Sequence, residues 1–237
     1  MRRRAGTPAR LPMADTRQLP LDLTLEPRFG EEDFLVSQSN AEAYATIDAW
    51  PDWASRMVFL AGPVASGKTH LATIWASRAG ARSLSARGLR QADLPALAAA
   101  GAVVVEDIER PGLDEAALFH LINLAQERQA FLLITGDRAP SELRIATPDL
   151  LSRLRRMPMV RIAAPDDALI KALFVKLFVD RQLVVDTALV DYLCLRTGRS
   201  FAAVRAMVER LDREALARGR RLSRPLAAEV LGWTSET

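Results

Sequence analysis

The stretch Gly62-Pro-Val-Ala-Ser-Gly-Lys-Thr69 decides the fold. It follows the short apolar run Met57–Ala61 and leads into a helix-forming segment over Lys68–Arg78. A glycine-containing loop between a strand and a helix can surround phosphate oxygens with backbone N–H groups, and the helix N-terminus adds its positive end. The stretch therefore predicts a phosphate-binding loop rather than an accidental glycine turn.

Two side chains of this loop have separate roles in such a site. Lys68 supplies a positive charge to the β- and γ-phosphates, and the Thr69 hydroxyl can ligate Mg²⁺. We expect the nucleotide-binding residues to be the loop, the first residues of the following helix and one polar residue after a later strand. These residues are Gly62, Pro63, Val64, Ala65, Ser66, Gly67, Lys68, Thr69, His70 and Asp137.

An acidic pair supplies the second half of the predicted site. The β-branched run Val103–Val105 indicates a buried strand that ends at Glu106 and Asp107. We expect Glu106 to be a magnesium ligand and both acids to be catalytic candidates; a solvated strand end is the alternative. In sites of this class an aspartate usually comes first. Because Glu106 has the longer side chain, nucleotide binding should survive the reversed order, whereas hydrolysis could suffer.

A third signal follows the apolar run Phe131–Thr135, which predicts another buried strand. Gly136 and Asp137 then form a turn, where Asp137 could meet the γ-phosphate or the attacking water. Turn formation alone would also explain an aspartate here.

The order of elements predicts an α/β fold. Strands alternate with helices as far as Pro165, which implies a parallel sheet between helices, and the pattern after Pro165 is helical only. We expect an N-terminal arm over residues 1–30 (starting at Met1 or Met13), a nucleotide-binding core over residues 31–165, and a small all-α lid over residues 166–237. Four of the 13 prolines lie in the arm.

The composition excludes several classes of protein. The single cysteine cannot form an internal disulfide, and two histidines make a zinc site implausible. No apolar stretch approaches the roughly 20 residues of a membrane span, so we expect no membrane partner. The basic start lacks an apolar segment behind it, which argues against a secretory signal and favours the cytoplasm. A net charge of +3 is too small to indicate nucleic-acid binding by itself.

Four quoted motifs together resemble a known family. Gly62–Leu71 reads GPVASGKTHL, Glu106–Glu109 reads EDIE, Leu133–Pro140 reads LITGDRAP and Leu150–Leu154 reads LLSRL. They resemble the AAA+ core of bacterial replication initiators of the DnaA type, and more closely their shorter regulatory homologues of the Hda type. The resemblance covers roughly residues 18–232. It implies that ADP or ATP and Mg²⁺ are bound, that DnaA is a partner, and that the chain self-associates.

The length of the sequence favours the regulatory type. DnaA carries a helix-turn-helix domain after its lid, and this sequence has no room for one before Thr237. We therefore expect no direct sequence-specific DNA binding.

The arm contains a candidate docking peptide, Gln18-Leu19-Pro20-Leu21-Asp22-Leu23, in which Gln18, Leu19, Leu21 and Leu23 are the expected contact residues. It resembles the peptide by which bacterial proteins bind the sliding clamp of DNA polymerase III. The alternating leucines could fill apolar pockets from an extended strand. The alternative is an edge strand that packs on the chain's own sheet.

The resemblance also implies an arginine finger. Arg153 occupies the matching position, from which it would enter the nucleotide site of another subunit and stabilise the transferring phosphoryl group. Its neighbours Arg155 and Arg156 could take that role instead, and a solvated arginine face is the alternative without function.

The lid departs from the family pattern. Our alignment places Ala202 where these proteins usually offer an arginine to the phosphates, and Arg199 or Arg205 could substitute. With the reversed acidic pair, this change argues against strong ATPase activity of the chain alone and leaves a structural ADP equally plausible.

The leading hypothesis is a negative regulator of replication initiation, which binds adenine nucleotide and the clamp and stimulates ATP hydrolysis by DnaA through Arg153. One alternative is a stand-alone ATPase or loader that acts on DNA or a helicase. Another is an adaptor in which nucleotide only stabilises the fold.

Overall fold

The computed structural model describes residues 30–233, and within that range the chain forms five strands and nine α-helices. In chain order they are α1 (Ala41–Asp48), β1 (Met57–Ala61), α2 (Lys68–Ala79), β2 (Arg82–Ser85), α3 (Leu94–Ala99), β3 (Ala102–Glu106), α4 (Glu115–Glu127), β4 (Phe131–Gly136), α5 (Pro148–Arg156), β5 (Met159–Arg161), α6 (Asp167–Asp180), α7 (Thr187–Cys194), α8 (Phe201–Arg218) and α9 (Arg224–Leu231).

The five strands form one parallel sheet in the order β2-β3-β4-β1-β5. Strand β1 lies between β4 and β5, and its last residue, Ala61, is opposite Gly136 on one side and Arg161 on the other. Because all strands run the same way, their carboxyl ends share one edge. The phosphate loop, Glu106 and the turn after β4 therefore meet at that edge.

Alternation along the strands divides the core into two layers. In β1, Val58 and Leu60 face a layer that contains Leu71 and Trp75 of α2. Phe59, between them, faces the opposite layer with α4 and α5. A strand with both faces covered needs a continuous apolar run, which explains the sequence Met57–Ala61. The predicted α/β class is confirmed.

Helices α6 to α9 have a hydrophobic cluster of their own. Phe174 and Phe178 of α6 are fully buried in it, together with Val204 and Val208 of α8. Asp166, Asp186 and Ser200 begin α6, α7 and α8 by accepting a hydrogen bond from the backbone N–H three residues later. No helix within residues 30–233 is long and apolar enough to cross a membrane.

One local expectation was wrong. Gly136 belongs to β4 instead of the turn after it, because its backbone continues the parallel ladder. Before α1, the Asn40 side chain binds the preceding segment: Nδ2 donates to the Leu35 carbonyl at 2.8 Å and Oδ1 accepts from the Ser37 N–H at 2.8 Å.

Candidate nucleotide-binding site

The loop between β1 and α2 has the backbone that a phosphate cradle requires. Ala65 (φ 59°) and Gly67 (φ 102°) are both in the left-handed region, a conformation that turns successive N–H groups toward one point. A Cβ on Gly62 would lie 2.6 Å from the Ile162 carbonyl oxygen and 2.9 Å from Ser66 Oγ. Only glycine therefore lets the loop pass so close to the end of β5.

Lys68 is held inside this loop. Its side chain is almost fully buried, and Nζ donates to the carbonyl oxygens of Gly62 at 2.6 Å and Pro63 at 3.0 Å. Burial lowers the pKa of Lys68, while the nearby carboxylates of Glu109, Asp107 and Asp137 act in the opposite direction. The ammonium group is therefore placed in the loop before any phosphate arrives.

The loop also contains an unused polar atom. Ser66 Oγ is buried and has no hydrogen-bond partner among residues 30–233. A buried hydroxyl without a partner costs free energy, and a phosphate oxygen would satisfy it. The glycine cradle, the ammonium of Lys68 and this hydroxyl form a donor set that fits a phosphate group.

The structure brings the two predicted magnesium ligands together. The Thr69 side chain lies near the Glu106 carboxylate and lowers its pKa, as does the charge of Lys68. Burial is the largest influence on Glu106 and raises its pKa, and the charge of Asp107 adds to this rise. An adjacent hydroxyl and carboxylate at a phosphate loop offer the oxygen ligands that Mg²⁺ prefers.

The other two predicted acids are each paired with an arginine. Asp107, in the left-handed region (φ 58°), lies 2.8 Å from Arg110 Nη2. Asp137 accepts from Arg138 at 2.6 and 2.8 Å, which lowers the pKa of that carboxyl. Both carboxylates are thus engaged by an arginine, and the lowered pKa of Asp137 makes it a weaker proton acceptor.

Sequence reasoning missed two residues near the loop. Glu109 has a buried Oε2 without a hydrogen-bond partner among the described residues, and its charge is the largest one acting on Lys68. Thr135 is fully buried, and its Oγ1 accepts from the Asp107 N–H at 3.0 Å. Glu109 belongs to the acidic run 106–109, so the sequence could have identified it as a site residue. The contact of Thr135 with Asp107 could not be identified in this way, because it depends on the pairing of β3 with β4.

One side of the loop is covered by aromatic rings. A Cβ on Gly67 would contact Phe201 of α8 at 3.5 Å and Phe34 at 3.7 Å. His70, predicted to contact nucleotide, has its Nε2 2.9 Å from the Gly30 carbonyl oxygen and its ring edge on Phe34. Burial lowers the pKa of His70. His70 thus lies under the segment that precedes α1.

The two candidate phosphate-binding arginines, Arg199 and Arg205, differ in their surroundings. Arg199 lies 3.0 Å from Asp167 of α6, in an ion pair whose side chains are both exposed. Arg205 is close enough to His70 for its charge to lower the pKa of that ring. Of the two candidates, Arg205 is the one near the helix that leaves the phosphate loop.

Arg153 lies at the other end of the sheet. It lines a cavity with Met57, the first residue of β1, and with Ala130, which precedes β4. Its Nη1 donates to Gln126 Oε1 at 3.2 Å, and its guanidinium lies over the Phe119 ring at 5.2 Å from the centroid. At about 3.3 Å per residue, β1 separates this place from Gly62 by roughly 16 Å.

The predicted clamp-binding residues, Gln18, Leu19, Leu21 and Leu23, lie outside the described residues.

The raised pKa of Glu106 gives a testable pH dependence. Because the pKa of Glu106 is raised in the folded protein, its neutral form is favoured there over the carboxylate. Glu106 therefore contributes stability below the ordinary glutamate pKa, and this contribution is lost as the pH rises through the raised pKa. Glu106→Gln should therefore gain stability over wild type as pH increases from about 4 to about 7. Urea unfolding of the nucleotide-free protein measures the difference, with exposed Glu127→Gln as the control. A difference that stays constant or shrinks with pH would contradict the assignment.

No protein-family model matches the chain. Among solved structures, domain III of the Thermotoga maritima replication initiation protein DnaA is similar, with a TM-score of 0.72 and 18% identity, over 89% of this chain and 98% of that one. AMPPCP-bound DnaA from Aquifex aeolicus has a TM-score of 0.68 at 20% identity, over 80% of this chain and 66% of that one. The chain thus matches about two thirds of the length of that protein.

The Thermotoga maritima RuvB Holliday junction branch migration motor is also similar, with a TM-score of 0.66 at 15% identity, over 86% of this chain and 72% of that one. The sheet, its flanking helices and the helical C-terminal part together form the AAA+ fold that DnaA and RuvB have in common.

Proposed function

We propose that the chain is a regulator of DNA replication initiation that binds adenine nucleotide, docks on the sliding clamp through Gln18–Leu23, and presents Arg153 to ATP-bound DnaA. Hydrolysis takes place in the nucleotide site of DnaA, which is thereby converted to its ADP form. The observation that carries this proposal is the position of Arg153, remote from the phosphate loop of its own chain.

The phosphate loop supports nucleotide binding. Lys68 would hold the β- and γ-phosphates, and Thr69 with Glu106 would hold Mg²⁺, which neutralises phosphate charge when bound. The donor set described above fits these groups, and a similar structure, that of DnaA from Aquifex aeolicus, holds AMPPCP. An adenine nucleotide, ADP or ATP, is therefore the proposed ligand.

The surroundings of that site favour holding a nucleotide over hydrolysing it. Asp107 and Asp137 are both paired with arginines. Ala202, at the position aligned with the usual phosphate-binding arginine of the lid, offers no charge. The chain is proposed to keep its own nucleotide as part of a stable interface.

Arg153 is suited to act on another molecule. Its guanidinium is held by Gln126 and Phe119, both from α4, so it begins in a defined orientation at the surface. With β1 between it and the loop, it cannot reach phosphates bound in its own chain. An arginine that enters a partner's site stabilises charge on the transferring phosphoryl group.

The decisive experiment measures ATP hydrolysis by DnaA in the presence of clamp loaded on DNA. Wild-type chain should stimulate hydrolysis, and Leu21→Ala/Leu23→Ala should stimulate it weakly, because apolar contacts to the clamp are lost. Leu25→Ala, just outside the peptide, is the matched control. Failure of the wild-type chain to stimulate would refute the function, and full activity of the double variant would refute clamp docking alone.

A further inference from the structure

A cavity of about 350 Å³ lies at the amino ends of β1 and β4. Its walls include Met57 of β1, Ile122 and Ala125 of α4, and Met157 after α5. These side chains are apolar, and Ile122, Ala125 and Met157 are buried. The cavity can therefore accept a small group with an apolar stem, and its size is within the range of ligand-binding clefts.

Three arginines line the same cavity: Arg56, Arg153 and Arg156. Two of them rest on aromatic rings, since Arg56 lies over Phe131 at 4.7 Å from the centroid and Arg153 lies over Phe119. Contact with a ring face orients a guanidinium without neutralising its charge. The positive groups around this cavity are therefore partly fixed in place.

None of the three arginines has a carboxylate within ion-pair distance among residues 30–233. Other arginines of the described range, such as Arg82 and Arg213, also lack such a partner, so these three are distinguished by lining one cleft. Three unpaired guanidinium groups around one cleft repel one another. A bound anion would remove that repulsion.

We propose that this cavity receives an acidic side chain of the partner protein, and that Arg56 and Arg156 hold its carboxylate. The inference rests on the proposed function and deepens it: two arginines anchor the partner so that Arg153 can be presented to the partner's nucleotide. A guanidinium binds a carboxylate through two parallel hydrogen bonds, and the apolar floor packs the methylene groups of the acid.

A carboxylate fits this cavity better than a phosphate does. The phosphate loop offers backbone N–H groups and a helix N-terminus to a phosphate. The lining here combines Met57, Ile122, Ala125, Ala130 and Met157 with Ser55, Gln126, Gln129 and the three arginines. To bind here, a phosphate would lose its hydration shell where it contacts methionine and isoleucine side chains, which costs a large desolvation free energy. When a carboxylate is carried on an apolar stem, only its charged end lies at the arginines.

The first test separates anchoring from catalysis. In the DnaA assay, Arg56→Gln and Arg156→Gln should each raise the concentration of chain needed for half-maximal stimulation about tenfold, with the maximal rate within about twofold of wild type. Arg82→Gln, at an exposed arginine of β2 that does not line the cavity, is the matched control. A loss no larger than that of Arg82→Gln, or a fall in maximal rate alone, would overturn the inference.

The second test needs no partner. Arginine Nε–Hε resonances of the full chain are followed by NMR during titration with glutarate and, separately, inorganic phosphate. Glutarate should shift the Arg56 and Arg156 signals saturably in the millimolar range, and Arg56→Gln should strongly reduce the shift at Arg156. No saturable shift, or an equal response to phosphate, would overturn the carboxylate assignment. Saturable binding of glutarate by a chain that fails to stimulate DnaA would support the cavity site and refute the proposed function.

Discussion

Lys68→Ala should bind ADP and ATP about 100-fold or more weakly than the wild-type chain. Lys68 is the only lysine of the phosphate loop, and its ammonium group already lies within the loop, on the carbonyl oxygens of Gly62 and Pro63. Each charge-assisted hydrogen bond to a phosphate contributes about 1.5–3 kcal/mol, and about 2.7 kcal/mol corresponds to 100-fold in affinity. Removal of Lys68 also releases the two carbonyl groups that it braces.

Calorimetry or a fluorescent nucleotide can measure the affinity, and Lys171→Ala is a suitable control. Lys171 is an exposed lysine on α6 that pairs with Asp191 at 2.6 Å. Unchanged affinity in Lys68→Ala would place the nucleotide elsewhere. If the purified chain alone turned over ATP and Lys68→Ala abolished that turnover, a stand-alone ATPase would become the better interpretation.

The fold could be predicted from the sequence because each element carries a strong local signal. The uninterrupted apolar run of β1 is typical of a strand buried on both faces. The helical pattern after Pro165 corresponds to α6–α9, with no strand between residues 166 and 233. The segment predicted as a helix over Lys68–Arg78 is α2, which ends one residue later at Ala79, because the last turn of a helix depends on tertiary contacts.

The site was only partly predictable. The meeting of Thr69 with Glu106 follows from motif order and the parallel sheet. The arginine partners of Asp107 and Asp137 do not. Arg110 lies three residues after Asp107 and Arg138 directly follows Asp137, but each pair forms only through the backbone turn after the strand. The resemblance singles out Arg153 in the sequence, but only the packing of α5 against α4 places it beside Phe119 and Gln126.

Arg153→Ala should reduce the stimulated rate of ATP hydrolysis by DnaA to nearly the unstimulated rate, a loss that can reach about 10³-fold for an arginine finger. Nucleotide binding and clamp binding by the variant should be unchanged, because roughly 16 Å of β1 separates Arg153 from the phosphate loop. Arg153→Lys should recover little activity, since lysine keeps the charge but lacks the planar fork that contacts two phosphate oxygens.

Arg155→Ala tests whether the finger has been assigned to the correct arginine. Arg155 is exposed on α5 and lacks the aromatic contact and the hydrogen bond to Gln126 that orient Arg153. Single-turnover hydrolysis of ATP pre-bound to DnaA, with saturating amounts of each variant, measures the catalytic effect apart from binding. If wild type and Arg153→Ala stimulated hydrolysis equally, Arg153 would not be the arginine finger. A loss of stimulation only in Arg155→Ala would assign that role to Arg155. Full rescue by Arg153→Lys would show that charge alone is sufficient, without a paired contact to the phosphoryl oxygens.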